Sequence, residues 1–108
     1  MPMENHNIRI AHIAEFEPGT MKCFRIGEKR LLIAYSEGQF FAVDEMCTHE
    51  DASLCTGSLK NHYVKCPLHG SRFDLNSGEA LDDPADEPLR TYPIEIIDGE
   101  IFVNLNDL

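Results

Sequence analysis

Residues 66–71 read CPLHGS, and upstream of them residues 47–50 read CTHE. Each stretch carries one cysteine and one histidine, with a single residue between them in Cys47-Thr48-His49 and two in Cys66-Pro67-Leu68-His69. Both follow strand-like segments, the first ending near Val43 and the second near Lys65. Two loops at strand ends can close on one another like fingertips and gather four ligands.

Three readings of the pairing compete. In the first, the residues are buried thiols and surface histidines by chance; two such units in a chain with four cysteines and five histidines make that a poor account. In the second, four ligands hold one zinc tetrahedrally. Paired zinc ligands are usually cysteines two to four residues apart and histidines three to five apart, so the tight Cys47-Thr48-His49 unit fits badly. The third reading explains the mixture. A [2Fe–2S] centre has two irons, each needing two protein ligands beyond the bridging sulfides. If each loop gives one ligand to each iron, Cys47 and Cys66 bind the inner iron while His49 and His69 bind the outer one.

Working outward, the rest of the chain reads as short strands between tight turns. Residues 21–26 and 30–36 flank Gly27-Glu28-Lys29, and residues 39–43 follow Glu37-Gly38; each junction reads as a hairpin. Asp98-Gly99 between residues 93–97 and 100–105 is the strongest short hairpin signal, and Ile101, Val103 and Leu105 alternate with Phe102 and Asn104. Residues 58–66 read as one more strand, and residues 73–75 as another, followed by the Asn76-Ser77-Gly78 turn. Residues 82–88 (DDPADEP) hold two prolines and form a solvent-facing loop. No helical period exceeds about two turns. The expected fold is all-β, an antiparallel sandwich or barrel in one domain over residues 1–108, with longer loops at 44–57, 66–72 and 82–92 and the cluster-binding part at about 44–80.

Composition narrows the function. Nineteen acidic against nine basic side chains give a formal net charge of -10, a field that repels nucleic acid and anionic lipid and favours a positively charged protein partner. No apolar run approaches the ~18 residues of a membrane span, and MPMENHNIRI at residues 1–10 is not a secretory leader. Cytoplasmic residence follows as the default. In reducing cytosol the cysteines are expected as thiols or metal ligands rather than disulfides. Cys23 is expected as a small buried apolar side chain, Cys55 as a free thiol, and His6, His12 and His62 as surface or turn residues.

Cys47-Thr48-His49 with Cys66-Pro67-Leu68-His69-Gly70-Ser71 resembles the Rieske iron–sulfur signature. The resemblance covers roughly residues 8–105. Phe73-Asp74-Leu75 and Gly78-Glu79 look like the strand and turn after the second cluster loop, and residues 84–89 with Tyr92-Pro93 look like the family's proline-containing covering loop. It implies a Rieske-type sandwich in which two loops form a cluster-binding subdomain, with Cys47, His49, Cys66 and His69 as ligands of one [2Fe–2S] cluster per chain. Departures indicate the subtype. Respiratory Rieske proteins carry an extra cysteine in each cluster loop, and the matching positions here are Ala52 and Leu68. Their tyrosine donor after the serine is Phe73 here, while Ser71 keeps a hydroxyl that can donate to a sulfide. Glu50 and Asp51 follow His49; a carboxylate ~8 Å from the cluster at an effective dielectric of ~40 opposes the added electron by on the order of 1 kcal/mol, roughly 40 mV.

These features resemble the low-potential ferredoxins of bacterial ring-hydroxylating dioxygenases. The resemblance implies an electron carrier, not an enzyme, taking single electrons from an NAD(P)H-dependent flavoprotein reductase and passing them to the terminal oxygenase of an aromatic-ring dioxygenase system. His49 and His69, each with one ring nitrogen on iron, are then the electron's ways in and out, and Pro67 and Leu68 an apolar docking rim. The alternative is the small Rieske-like subunit of an assimilatory nitrite reductase, disfavoured because many of its members lack cluster ligands. A domain cut from a whole oxygenase is disfavoured too, since no second set of two histidines and a carboxylate is present.

Overall fold

The computed structural model describes residues 7–48, 52–68, 70–83, 85 and 87–105. Ten strands run through them: β1 (Asn7–His12), β2 (Thr20–Ile26), β3 (Lys29–Ser36), β4 (Gln39–Asp44), β5 (Ser58–Lys60), β6 (Tyr63–Lys65), β7 (Arg72–Asp74), β8 (Thr91–Tyr92), β9 (Ile94–Ile97) and β10 (Glu100–Asn104). They pair into three antiparallel sheets with orders β1-β10-β9, β2-β3-β4-β8 and β5-β6-β7. The only helical pieces among the described residues are single 3-10 turns at Ile13–Glu15 and Leu54–Thr56.

The middle sheet carries a core on each face, and β3 shows why. Leu31, Leu32, Ile33 and Ala34 are all buried completely. Successive side chains of a strand point to opposite faces. Leu31 and Ile33 therefore pack with Ala11, Phe16, Ile101 and Val103 beneath the first sheet. Leu32 and Ala34 pack the other way, with Leu54, Val64, Phe73 and Leu75. The neighbouring strand sorts itself likewise, Ala42 to the first core and Phe41 and Val43 to the second. A strand covered on both sides reads as an unbroken apolar run, which is what Leu31–Ala34 is.

Hairpin register is set by two-residue turns. Ser36 pairs with Gln39 across Glu37-Gly38, and Ile97 with Glu100 across Asp98-Gly99. Both residues of each turn have positive φ (53° and 81°, then 51° and 79°), matching the strands' right-handed twist. The first of these turns also anchors the small sheet. Glu37 pairs with the His62 ring at 2.6 Å, the Ser36 hydroxyl donates to the Asn61 carbonyl, and the Phe41 ring meets the His62 ring edge-on.

Four expectations change. Residues 58–66 are not one strand but the hairpin β5–β6, turning at Asn61, whose φ is 53°; asparagine tolerates that left-handed backbone. The 82–88 segment is not wholly solvated, because Ala85 is buried in the second core. Cys23 is not an isolated apolar side chain and Cys55 is not a free thiol, since the two form a disulfide across 32 residues of sequence. That pairing depends on how the 3-10 turn at Leu54–Thr56 folds back over β2, which no local pattern records. β1 and the two-residue β8 are further elements that the pattern analysis did not assign.

Candidate metal centre

The first loop is closed at its base by a backbone ladder. Glu45 N–H donates to the Arg30 carbonyl (3.0 Å), Leu54 N–H to the Glu45 carbonyl (2.8 Å) and Cys47 N–H to the Ala52 carbonyl (3.0 Å). Met46 and Ser53 form an isolated antiparallel bridge. The Glu45 side chain, nearly buried, reinforces it: the Ser53 hydroxyl donates to its carboxylate at 2.6 Å and the Arg30 guanidinium at 3.2 and 3.4 Å. Ser53 in turn accepts from Cys55 N–H at 3.2 Å. A buried carboxylate thus gains both a charged and a neutral donor, as burial of that group requires.

The second loop, between β6 and β7, repeats the construction. Cys66 N–H donates to the Ser71 carbonyl at 2.8 Å, and Gly70 N–H donates back to the Cys66 carbonyl at 3.1 Å. In each loop, then, a cysteine amide is bonded to the carbonyl five residues on. Gly70 has a φ of +76°, a left-handed turn favoured by glycine. Cys47 and Cys66 share the second core with Leu54, Val64 and Phe73; Cys47 is 7% exposed and Cys66 2%.

A third segment is tied to both loops. Thr48 Oγ1 donates to the Glu87 carbonyl at 2.8 Å, and Ala85 N–H donates to Ser71 Oγ at 3.3 Å. A hydroxyl that accepts one bond still has its own hydrogen to give. The Asp82 carboxylate caps the start of β7, accepting from Arg72 N–H at 3.1 Å and from its guanidinium at 2.7 and 3.2 Å. Those guanidinium bonds hold the Asp82 carboxyl below the ordinary carboxylate range, and the Arg72 pKa is raised by the same pair. Farther down, Tyr92 OH donates to Asp44 at 2.6 Å and accepts from Lys29 at 3.0 Å, while burial pushes its phenol pKa up.

Of the four expected ligands, the structure brings Cys47 and Cys66 to matching positions of matching loops. His49 and His69 lie outside the described residues, as do Glu50 and Asp51. Among the described residues no group of three or more histidines, cysteines or acids gathers as a metal site. The donor chemistry nevertheless suits an iron–sulfur group: with Cys23 and Cys55 paired, Cys47 and Cys66 are the cysteines outside a disulfide, and both are buried. The disulfide present joins Cys23 of β2 to Cys55 of the 3-10 turn Leu54–Thr56. Phe73, at the position of the missing tyrosine donor, is fully buried in the core. Leu68 stands out from the second loop at 58% exposure. The signals that sequence reasoning missed are Glu45 with Ser53, and Thr48 with Glu87; only Thr48 lies inside the Cys/His pattern, as the residue between the two expected ligands.

Comparison with known proteins places this geometry. Residues 6–93 match the Rieske [2Fe-2S] domain. Among curated proteins, the chain is 42% identical over 78 residues to the 3-phenylpropionate/cinnamic acid dioxygenase ferredoxin subunit of Photorhabdus laumondii, covering 71% of this chain and 74% of that one. Among solved structures, it aligns with the ferredoxin of Sphingomonas yanoikuyae B1 at TM-score 0.86 and 29% identity, covering 91% and 97% of the two chains. It also aligns, at TM-score 0.87 and 29% identity over 94% of each chain, with a complex of reduced oxygenase and oxidized ferredoxin in carbazole 1,9a-dioxygenase. Two buried cysteines on twin loops, in an all-antiparallel frame shared with these ferredoxins, make the chain a member of the Rieske [2Fe–2S] domain family.

Proposed function

We propose that this protein is the ferredoxin of a multicomponent ring-hydroxylating dioxygenase system, carrying single electrons from an NAD(P)H-dependent flavoprotein reductase to a terminal Rieske oxygenase. The observation that carries the reading is the pair of loops closed in the same way at Cys47 and Cys66. In this reading Cys47 and Cys66 hold one iron of a [2Fe–2S] cluster and His49 and His69 the other. The cluster supplies a one-electron couple. The chain's residues do the rest. Glu45 and Ser53 fix the base of the first loop, and Thr48 and Ser71 are tied to the covering segment at Glu87 and Ala85. In this reading the buried Ser71 hydroxyl, which accepts from Ala85 N–H, has its own hydrogen to give to a sulfide.

The exposed Leu68, next in sequence to the second histidine, offers an apolar contact, and the net charge of -10 favours encounter with a basic partner. No helix among the described residues is long and apolar enough to cross a membrane; in this reading the carrier works in the cytoplasm between protein partners. The named curated relatives are dioxygenase ferredoxin subunits, so the nitrite reductase alternative gains nothing from them.

The test is anaerobic rapid mixing. Protein reduced under anaerobic conditions is combined with the oxidised oxygenase component of a 3-phenylpropionate dioxygenase, and cluster absorbance is followed. Transfer of one electron per chain, slowed by Leu68→Asp and by added salt, is the expected result. A reduced protein that gives its electron neither to that component nor to other Rieske oxygenases overturns the reading.

A further inference from the structure

Cys23 lies in β2, and Cys55 is the middle residue of the 3-10 turn Leu54–Thr56 that follows the first cluster loop. Their Cα atoms are 6.2 Å apart, inside the range a disulfide spans. Both side chains are half-buried at the margin of the core that holds Cys47 and Cys66. Small thiols can therefore reach the pair while the frame still presents the two sulfurs to each other. We propose that Cys23 and Cys55 form a reversible thiol–disulfide site, with a low-molecular-weight disulfide as its oxidant, and that the bond locks the first cluster loop onto the central sheet.

The chemistry balances without the cluster. One protein thiolate attacks the small disulfide, releasing a small thiol and leaving a mixed disulfide; the second protein thiolate then displaces the other small thiol. Two protein thiols become one disulfide and one small disulfide becomes two small thiols. No electron is drawn from the centre, which handles one at a time.

The bond closes a ring over a sequence separation of 32, containing β3, β4 and Cys47. With the ring shut, the turn at Leu54–Thr56 cannot lift from β2. With it open, the loop base depends on its backbone ladder and on Glu45 bonded to Ser53 and Arg30. Closure of a ring this size disfavours complete unfolding several-hundredfold. Local opening feels only part of that constraint, so loss of iron should slow roughly tenfold in the oxidised form. This second half rests on the reading that Cys47 holds iron.

The experiment uses natively made, cluster-loaded protein equilibrated in glutathione buffers from fully reduced to fully oxidised, then acid-quenched, alkylated and digested. The expected result is a Cys23–Cys55 cross-linked peptide at the oxidised limit and two alkylated peptides at the reduced limit. Iron loss to a chelator should be about tenfold slower in the oxidised protein. Cys55→Ser and Cys23→Ala proteins should lose iron at the reduced rate in every buffer. Alkylation of both cysteines across the whole range overturns the thiol site, and equal rates of iron loss in the two wild-type states overturn the lock. A preparation without iron counts against the reading of the centre instead, and the cross-linked peptide still decides the thiol site.

Discussion

Replacing Gly57 with alanine should damage the site from a distance, for a reason that is purely steric. Gly57 ends the 3-10 turn with a φ of −88°, an ordinary value, so a side chain there meets no penalty of handedness. Its backbone, however, lies against Lys65, the residue before Cys66. A Cβ on Gly57 falls 1.9 Å from the Lys65 carbonyl oxygen and 3.3 Å from that of Leu54. Restoring a tolerable carbon–oxygen distance requires the two backbones to part by roughly 1.4 Å. That displacement acts next to the Ser58–Lys65 pairing of β5 and β6 and at the chain leading into the second loop. Overpacking of this kind costs about 1–3 kcal/mol, and each ladder hydrogen bond lost adds about 1 kcal/mol. A total of about 3 kcal/mol lowers Tm by roughly 10–20 °C in a domain of this size. The assay is thermal melting by far-ultraviolet circular dichroism with iron content measured on the same samples. Gly38→Ala is the control: its φ is +81° and a Cβ there meets nothing within 4 Å, so only conformational strain of about 1–2 kcal/mol applies, with iron retained. A Gly57→Ala protein that melts within a few degrees of the parent and keeps its iron refutes the close-approach argument.

Glu45→Ala removes the acceptor of Ser53 and Arg30 beneath the first loop, and should lower unfolding free energy by about 2 kcal/mol in chemical denaturation while speeding iron loss to a chelator; Glu45→Gln should recover part of both. Acidification should loosen the second loop's flank. Because the Asp82 pKa is depressed in the folded state, its contribution is present above the ordinary carboxylate pKa and disappears as pH falls through the lower folded value. Asp82→Asn should therefore lower Tm in the neutral region, where the ionised carboxylate contributes, and change Tm at the acid end little, so that the plot of Tm against pH is flatter. Phe73→Ala, emptying a fully buried ring site in the core shared with Cys47 and Cys66, should cost about 3–5 kcal/mol, read as loss of a cooperative melt.

The hairpins were legible because their signals are local: Asp98-Gly99 and Glu37-Gly38 demand positive φ, and the flanking residues alternate or run apolar. The twin loops were legible from chemistry, since cysteine and histidine at that spacing suit few other purposes. Four features were not. The hairpin at Asn61 was hidden because residues 58–66 hold few apolar residues to mark a change of direction. Burial of Ala85 was masked by the acids and prolines around it, whose solubility says nothing about one methyl group tucked behind Ser71. Cys23 and Cys55 belong to separate patterns, a strand and a polar loop, and only the folding of one over the other makes them partners. The Glu45–Ser53 clamp escaped notice for a similar reason, because a glutamate at a strand end reads as a solvent-exposed charge until Arg30 on the neighbouring strand is seen to meet it.

Iron and acid-labile sulfide, determined per chain on natively made protein alongside electron paramagnetic resonance after dithionite, test the assignment of the centre most directly. About two irons and two sulfides per chain with a rhombic signal are expected, falling to near zero in Cys47→Ala and Cys66→Ala. Full iron and sulfide in either variant, or wild-type protein holding zinc and no sulfide, contradicts it.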